Sequence, residues 1–146
     1  MNHMDAQTIH LLEECNAGCK SATDSMEQVM KYVEQEKLKE LIEKYNEKHV
    51  KIGDKCHELL NQFDADEKDP SILAKTFSFL STEAKLMIND DSHKIAELMM
   101  DGCNMGIKSI SEAINKYPEA SKESIALAEK LVKEEQDFLN ELRAFV

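Results

Sequence analysis

The seven residues from 15 to 21 recur later in the chain, and this recurrence decides the predicted fold. They read Cys15-Asn16-Ala17-Gly18-Cys19-Lys20-Ser21, and five of the seven letters are identical in Cys103-Asn104-Met105-Gly106-Ile107-Lys108-Ser109. The similarity extends outward, since Leu11-Leu12-Glu13 corresponds to Met99-Met100-Asp101. A repeat within one chain indicates a repeated structural unit. Two copies, each a helix with an antiparallel partner, predict a duplicated helical hairpin that closes into a bundle.

The composition favours one all-helical domain over residues 1–146. A chain of 146 residues is long enough to bury a sizeable core. It contains only two prolines and four glycines, too few for the many turns of a β-sandwich. We therefore expect an all-α protein.

The charge and the amino terminus indicate the environment of the protein. A formal net charge of −11 repels phosphate backbones and anionic lipid surfaces, so neither nucleic acid nor a membrane is an expected partner. No stretch approaches the roughly 18 consecutive apolar residues of a transmembrane helix. Residues 1–5 lack the basic start and apolar core of a signal peptide, which predicts a cytoplasmic protein.

Apolar residues recur at helical spacing in five segments. The predicted helices cover about 5–34, 38–63, 71–88, 92–117 and a last segment from 121 onward. The connections between them are short, so neighbouring helices are expected to run antiparallel. The prediction is a ferritin-like up-and-down bundle of five helices, in which the middle helix returns the chain between two hairpins.

Two heptad rows on one face of the second helix place polar residues in the core. One row contains Leu38, Tyr45, Ile52 and Leu59, and the other contains Ile42, His49, Cys56 and Phe63. His49 and Cys56 should therefore point inward. An antiparallel first hairpin with its turn near residue 36 places Cys15 level with Cys56, Cys19 level with Gly53, and His49 level with Thr23.

The chain resembles ferritin-like bundles, and most closely a bacterial family of ferritin-like proteins of unknown function. The residues that carry the resemblance are the glycine-containing frames 15–21 and 103–109, Asp69-Pro70-Ser71, Asn89-Asp90-Asp91-Ser92-His93, and the stretch 98–106. Its ferritin relatives imply di-iron chemistry, whereas this family implies no established activity.

The chain departs from the ligand pattern of a di-iron bundle. Such a site needs Glu-x-x-His on two helices and a further Glu on each of the other two. Here Asn46 stands three residues before His49, and no histidine follows residue 121. Glu134-x-x-Asp137 is the closest remnant, and the run Glu134-Glu135 is interpreted as exposed helix surface. A standard di-iron centre is therefore not expected.

Three cysteines and a histidine gather in the predicted core, and three interpretations of them stay open. Cys15, Cys19 and Cys56 should lie within about one helical turn of height, with His49 a turn further along. Cys103 should reach the His49 layer from the second hairpin. Thiolates and imidazole suit zinc or copper(I), while buried reduced thiols behave as small apolar groups. The third alternative is a disulfide between Cys15 and Cys56.

The repeated glycines and asparagines carry structural expectations. Gly18 and Gly106 each lower helix propensity by about 1 kcal/mol, which favours close helix contacts at both positions. Asn16 and Asn104, where inward, need hydrogen-bond partners. Lys20 and Lys108 are expected at the surface.

The sequence favours a non-enzymatic bundle that acts by binding or association and needs no cofactor. The alternatives are a zinc or copper protein that uses Cys15, Cys19, Cys56, His49 and Cys103, and a degenerate iron-handling relative. Because helical bundles often pair, a symmetric homodimer is also expected.

Overall fold

A computed structural model describes residues 2–63 and 92–146, which form four long helices. Helix α1 spans His3–Met30, α2 Glu36–Asn61, α3 Ser92–Lys116 and α4 Lys122–Leu142. A short 3₁₀ turn, Arg143–Phe145, follows α4. The described part of the chain contains no strand, so the all-α prediction is confirmed.

The predicted count of five helices is wrong for this structure, whose described residues hold four. The segment 71–88, to which the middle helix was assigned, lies outside the described residues. The other predicted boundaries agree with the observed ones within a few residues. The first helix ends at Met30 rather than near residue 34, because Tyr32 and Val33 donate to carbonyls three residues back and so form a turn.

The helices pack as two hairpins whose faces meet in two core clusters. One cluster joins the first half of α1, the second half of α2, the second half of α3 and the first half of α4. The other cluster joins the opposite halves of the same helices. It follows that α1 is antiparallel to α2 and to α3, while α2 and α3 run in the same direction. Helix α1 also contacts α4 across the bundle.

The first hairpin confirms the predicted inward faces. The predicted apolar row of the first helix is buried along its whole length. Its members are Ile9, Leu12, Cys15, Cys19, Ala22, Met26, Val29 and Val33. In α2 the two heptad rows are buried except for the partly buried Phe63. A Cβ atom added to Gly53 would lie 3.3 Å from the Cβ of Cys19, so these two residues are level, as the hairpin register predicts.

Hydrogen bonds position helix α4 at its first residues, and ring stacking positions the face that packs against α2. The Ser121 hydroxyl accepts a hydrogen bond from the Ser124 N–H at 3.2 Å, which caps the helix. The Ser121 N–H donates to the Thr8 hydroxyl of α1 at 2.8 Å. Further along, the Phe138 ring stacks on Tyr45 of α2, with 4.6 Å between ring centroids. These contacts set the height of α4 against the first hairpin.

Candidate functional site

A hydrogen-bonded ion pair between α2 and α4 lies inside the bundle. Nε2 of His49 donates to a carboxylate oxygen of Glu135, and Nδ1 donates to the Tyr45 carbonyl oxygen at 2.7 Å. The side chains of His49 and Glu135 are 0% and 7% exposed. A carbonyl can only accept, so Nδ1 carries a proton, and when Glu135 is ionised it accepts from a second proton on Nε2, which makes His49 an imidazolium.

Burial and the neighbouring acceptor groups shift the pKa of His49 in opposite directions. Burial by itself lowers the pKa of the imidazole, since it penalises the charged form. The hydrogen bond and the negative charge of Glu135, helped by the Tyr45 carbonyl and by Glu134, outweigh that penalty. The pKa of His49 is therefore raised above its ordinary value.

The interpretation of Glu134 and Glu135 as exposed surface is wrong, because both residues are buried. Glu135 continues a row of inward positions on α4, whose members are Ser124, Ala128, Leu131, Glu135, Phe138 and Leu142. Their alternating spacing of three and four residues was the sequence signal that places Glu135 in the core. Burial raises the pKa of the Glu134 carboxyl, and its Oε2 atom has no hydrogen-bond partner.

Glu135 is also held against the second repeat on α3. A Cβ atom added to Gly106 would lie 3.0 Å from Oε2 of Glu135 and 3.3 Å from its Cδ. The predicted close contact at Gly106 is therefore confirmed, and its partner is a carboxylate. Burial, followed by the nearby Glu135 carboxylate, raises the pKa of the Cys103 thiol, so this thiol lies close to the same side chain. Gly18 lines a small cavity together with Gly106 and Glu135.

The four cysteines are buried free thiols. The neighbouring Cys56 thiol, together with burial, raises the pKa of Cys15, and this proximity agrees with the predicted level of the two residues. Burial raises the pKa of Cys19, and burial with the nearby Glu135 carboxylate raises that of Cys103. All three groups are therefore protonated thiols near neutral pH; a protonated thiol is a poor nucleophile, and it binds a metal ion only by giving up its proton.

The proposed Cys/His metal set is only partly brought together. Cys15 meets Cys56, while His49 and Cys103 both contact Glu135. Within residues 2–63 and 92–146, no three side chains of His, Cys, Asp or Glu are grouped so as to hold a metal ion. His49 would have to release Glu135 or Tyr45 to bind one. A metal role for the five predicted residues stays a prediction.

The outer face of the first hairpin carries an open groove of about 370 Å³. Its walls are turns of α1 and α2, and its lining residues are Asn16, Cys19, Lys20, Thr23, His49, Val50, Gly53, Asp54 and His57. The buried members, Asn16, Cys19 and His49, form the floor. Gly53 brings α2 close to α1 at this level, since a Cβ atom added to it would lie 3.3 Å from the Cβ of Cys19.

The two repeated asparagines occupy different environments. Asn16 is 2% exposed, and its side-chain Nδ2 has no hydrogen-bond partner, although it lines the groove. Asn104, at the corresponding position of α3, is exposed. An unpaired buried amide costs about 1–3 kcal/mol. The expected structural partner for Asn16 is therefore missing at this nitrogen, and Asn16 is one of the residues that line the groove.

No family model, curated protein or solved structure matches this chain. The resemblance to ferritin-like proteins stays a prediction. None of the four described helices is long and apolar enough to cross a membrane.

Proposed function

We propose that this protein is a non-enzymatic small-molecule-binding bundle, whose ligand lies in the groove between α1 and α2. The observation that carries the proposal is that Asn16 lines the groove while its Nδ2 is buried without a hydrogen-bond partner. A groove of about 370 Å³ has the size of a ligand site, since such sites range over about 300–1,000 Å³. A ligand atom that accepts a hydrogen bond from Nδ2 would remove the penalty of the unpaired donor.

Two groups on the groove floor have the wrong state for catalysis. A general base needs a ring nitrogen that is free to take a proton from the substrate, whereas both ring nitrogens of His49 are engaged in hydrogen bonds inside the bundle. A nucleophilic cysteine needs a thiolate, whereas burial raises the pKa of Cys19. The same two groups suit a binding floor that is polar and chemically inert.

The groove favours a small organic molecule that carries a carbonyl or carboxylate oxygen. Asn16 Nδ2 offers a donor to that oxygen, and Lys20 supplies positive charge at the groove. Val50, which is 42% exposed, offers an apolar surface to the body of the ligand. Asp54 adds negative charge at the groove, so a ligand that also carries an amide or ammonium donor fits better than a simple anion.

The test of this function replaces Asn16 by leucine and uses its repeat counterpart as the matched control. Asn16→Leu removes the unpaired donor, so we expect the free energy of unfolding without ligand to rise by about 1 kcal/mol. The same change at the exposed Asn104 should alter it by less than about 0.5 kcal/mol. Denaturation in urea measures both values.

Binding is measured in the same variants with a panel of small carboxylic acids, amides and amino acids. We expect members of the panel to shift the ¹⁵N side-chain resonance of Asn16 in the wild-type protein, and to lose affinity for Asn16→Leu but not for Asn104→Leu. A panel that leaves the Asn16 resonance unmoved contradicts the proposal. So does equal binding by wild-type protein and Asn16→Leu.

The homodimer stays a prediction. Three large hydrophobic side chains of the described chain are markedly exposed, namely Met4, Val50 and Val146. They lie near one terminus, in the middle of α2 and at the other terminus, so they do not form the continuous apolar patch that predicts an interface.

A further inference from the structure

A second cavity, between α1, α3 and α4, brings two methionines next to a cysteine. It measures about 20 Å³ and is lined by Met26 of α1, by Met99 and Cys103 of α3, and by Glu135 of α4. All four residues are buried. A space of about 10–15 Å³ already holds one water molecule. The cavity is therefore large enough for a single ion and too small for an organic ligand.

Residue types at the cavity match one class of metal ion. Thioethers and thiolates are soft ligands, and soft ligands select copper(I). Met99 and Cys103 stand four residues apart, so they share one face of α3. Met26 approaches from the facing helix, and the three rotatable bonds of a methionine side chain let its sulfur turn into the space.

We propose that Met26, Met99 and Cys103 form a binding site for one copper(I) ion. The ion takes the place of the thiol proton, so a copper–sulfur bond forms at Cys103, the sulfur–hydrogen bond breaks, and one proton leaves to solvent. The thioethers of Met26 and Met99 complete a three-sulfur shell as neutral ligands. No electron is transferred in this step.

Charge balance distinguishes copper(I) from the divalent ions at this site. A monovalent ion that replaces one proton leaves the buried charge unchanged, and so avoids the desolvation penalty of an added charge. Zinc at the same sulfurs would add one uncompensated positive charge, and zinc is bound by thiolate, imidazole and carboxylate rather than by thioethers. Glu135 is not free to compensate, because it is paired with His49.

Two further observations distinguish this cavity from a place in the core where methionine side chains only fill space. The Ser25 hydroxyl lines the cavity and is buried without a hydrogen-bond partner, so the space is not purely apolar. The repeat also differs here, since the positions that correspond to Met99 and Cys103 are Leu11 and Cys15. A methionine four residues before the cysteine is thus found only in the second copy of the repeat.

The first experiment locates the ion in the wild-type protein. Silver(I) is used as a redox-inert substitute for copper(I), and the protein carries ¹³C-labelled methionine methyl groups. One equivalent of silver(I) should shift the methyl signals of Met26 and Met99 and leave those of Met30 and Met100 in place. If silver(I) binds while the Met26 and Met99 signals stay unmoved, the ion is held elsewhere, for example between Cys15 and Cys56, and the proposal is wrong.

The second experiment compares neighbouring methionines on α3. Met99→Leu keeps the core volume, as does Met100→Leu at a partly buried position that does not line the cavity. Copper(I) affinity is measured without oxygen, by competition with a copper(I) chelator. Loss of a residue that only supports a metal ligand lowers metal affinity by about tenfold or more. Met99→Leu removes a ligand itself, so we expect it to lower the copper(I) affinity by more than about tenfold. Met100→Leu should bind as the wild type does. Equal affinities in the two variants would overturn the proposal, as would unchanged binding by Cys103→Ala.

Discussion

His49 of α2 donates a hydrogen bond to Glu135 of α4 at a depth where the histidine ring is wholly excluded from solvent. The pair joins the two hairpins at mid-height, and Cys103 and Gly106 of α3 lie against the same carboxylate. A buried ion pair adds little net stability, because each charge loses its hydration. Removal of one partner, however, leaves the other charge buried and uncompensated.

Replacement of Glu135 alone should therefore destabilise the bundle far more than replacement of the whole pair. We expect Glu135→Leu to lower the free energy of unfolding by about 3–5 kcal/mol, and the double variant His49→Leu/Glu135→Leu to lie much closer to the wild type. Urea denaturation at neutral pH, analysed as a double-mutant cycle, gives the coupling energy of the pair.

The exposed pair between Lys133 and Asp137 on the same helix provides the control. Its loss through Lys133→Ala should change the free energy of unfolding by about 0.3–0.5 kcal/mol. If Glu135→Leu is no more damaging than Lys133→Ala, the His49–Glu135 pair does not link the hairpins as described.

The raised pKa of His49 predicts how stability depends on pH. The folded pKa lies above the unfolded value of about 6.5, so the contribution of the pair is complete below about pH 6.5 and is lost as pH rises through the folded pKa. The charged groups that face His49 are Glu135 and Glu134, both on α4. Unfolding free energies measured from mildly acidic to alkaline pH should fall more steeply for the wild type than for His49→Leu/Glu135→Leu. Parallel curves would contradict this assignment.

Glu134 predicts a second pH effect in a more acidic window. Burial raises its pKa in the folded state, so the folded protein holds the proton more tightly than the unfolded chain. This contribution is present below the ordinary pKa of a glutamate, about 4.3, and is lost as pH rises through the folded pKa. The stability of Glu134→Gln relative to the wild type should therefore increase between about pH 4 and pH 7. Glu129→Gln, an exposed change on the same helix, should show no such trend.

The sequence predicted those features that depend on periodic burial. The sequence correctly predicts that the apolar rows of α1 and α2 face the core, because inward positions recur every three or four residues along a helix. The level of Cys15 with Cys56, and of Cys19 with Gly53, followed from the hairpin turn and the rise of a helix. These predictions need no knowledge of which polar groups are paired.

The polar interior was missed for a physical reason. A glutamate is charged in water and is rarely buried unless it is paired, so the run Glu134-Glu135 was assigned to the surface. Its pairing partner, His49, lies on another helix, and composition does not reveal that contact. The repeat was also misleading for Asn16 and Asn104. The two asparagines occupy equivalent positions of the repeat, but Asn16 is buried and Asn104 is exposed. The position within the inward row, rather than the residue type, distinguishes such cases.

The contact between Gly106 and Glu135 predicts that Gly106→Ala has opposite effects on the free energy of unfolding in the wild type and in Glu135→Ala. Alanine at position 106 gains about 1 kcal/mol in helix propensity. Its Cβ atom, however, would lie 3.0 Å from the Glu135 carboxylate, which the hydrogen bond to His49 holds in place. We expect Gly106→Ala to destabilise the wild type by about 1 kcal/mol, and to stabilise Glu135→Ala by up to about 1 kcal/mol.

Gly53→Ala is the control for this reversal, because its added Cβ atom meets Cys19 at 3.3 Å rather than Glu135. Its effect on the free energy of unfolding should change little when Glu135→Ala is added, because the atoms that its Cβ meets belong to Cys19 and Asn16 and not to Glu135. Urea denaturation of the six proteins that these two backgrounds define decides the matter. If Gly106→Ala stabilises the wild type as well, the glycine is not kept for the carboxylate, and Glu135 is held in the core by His49 and Cys103 alone.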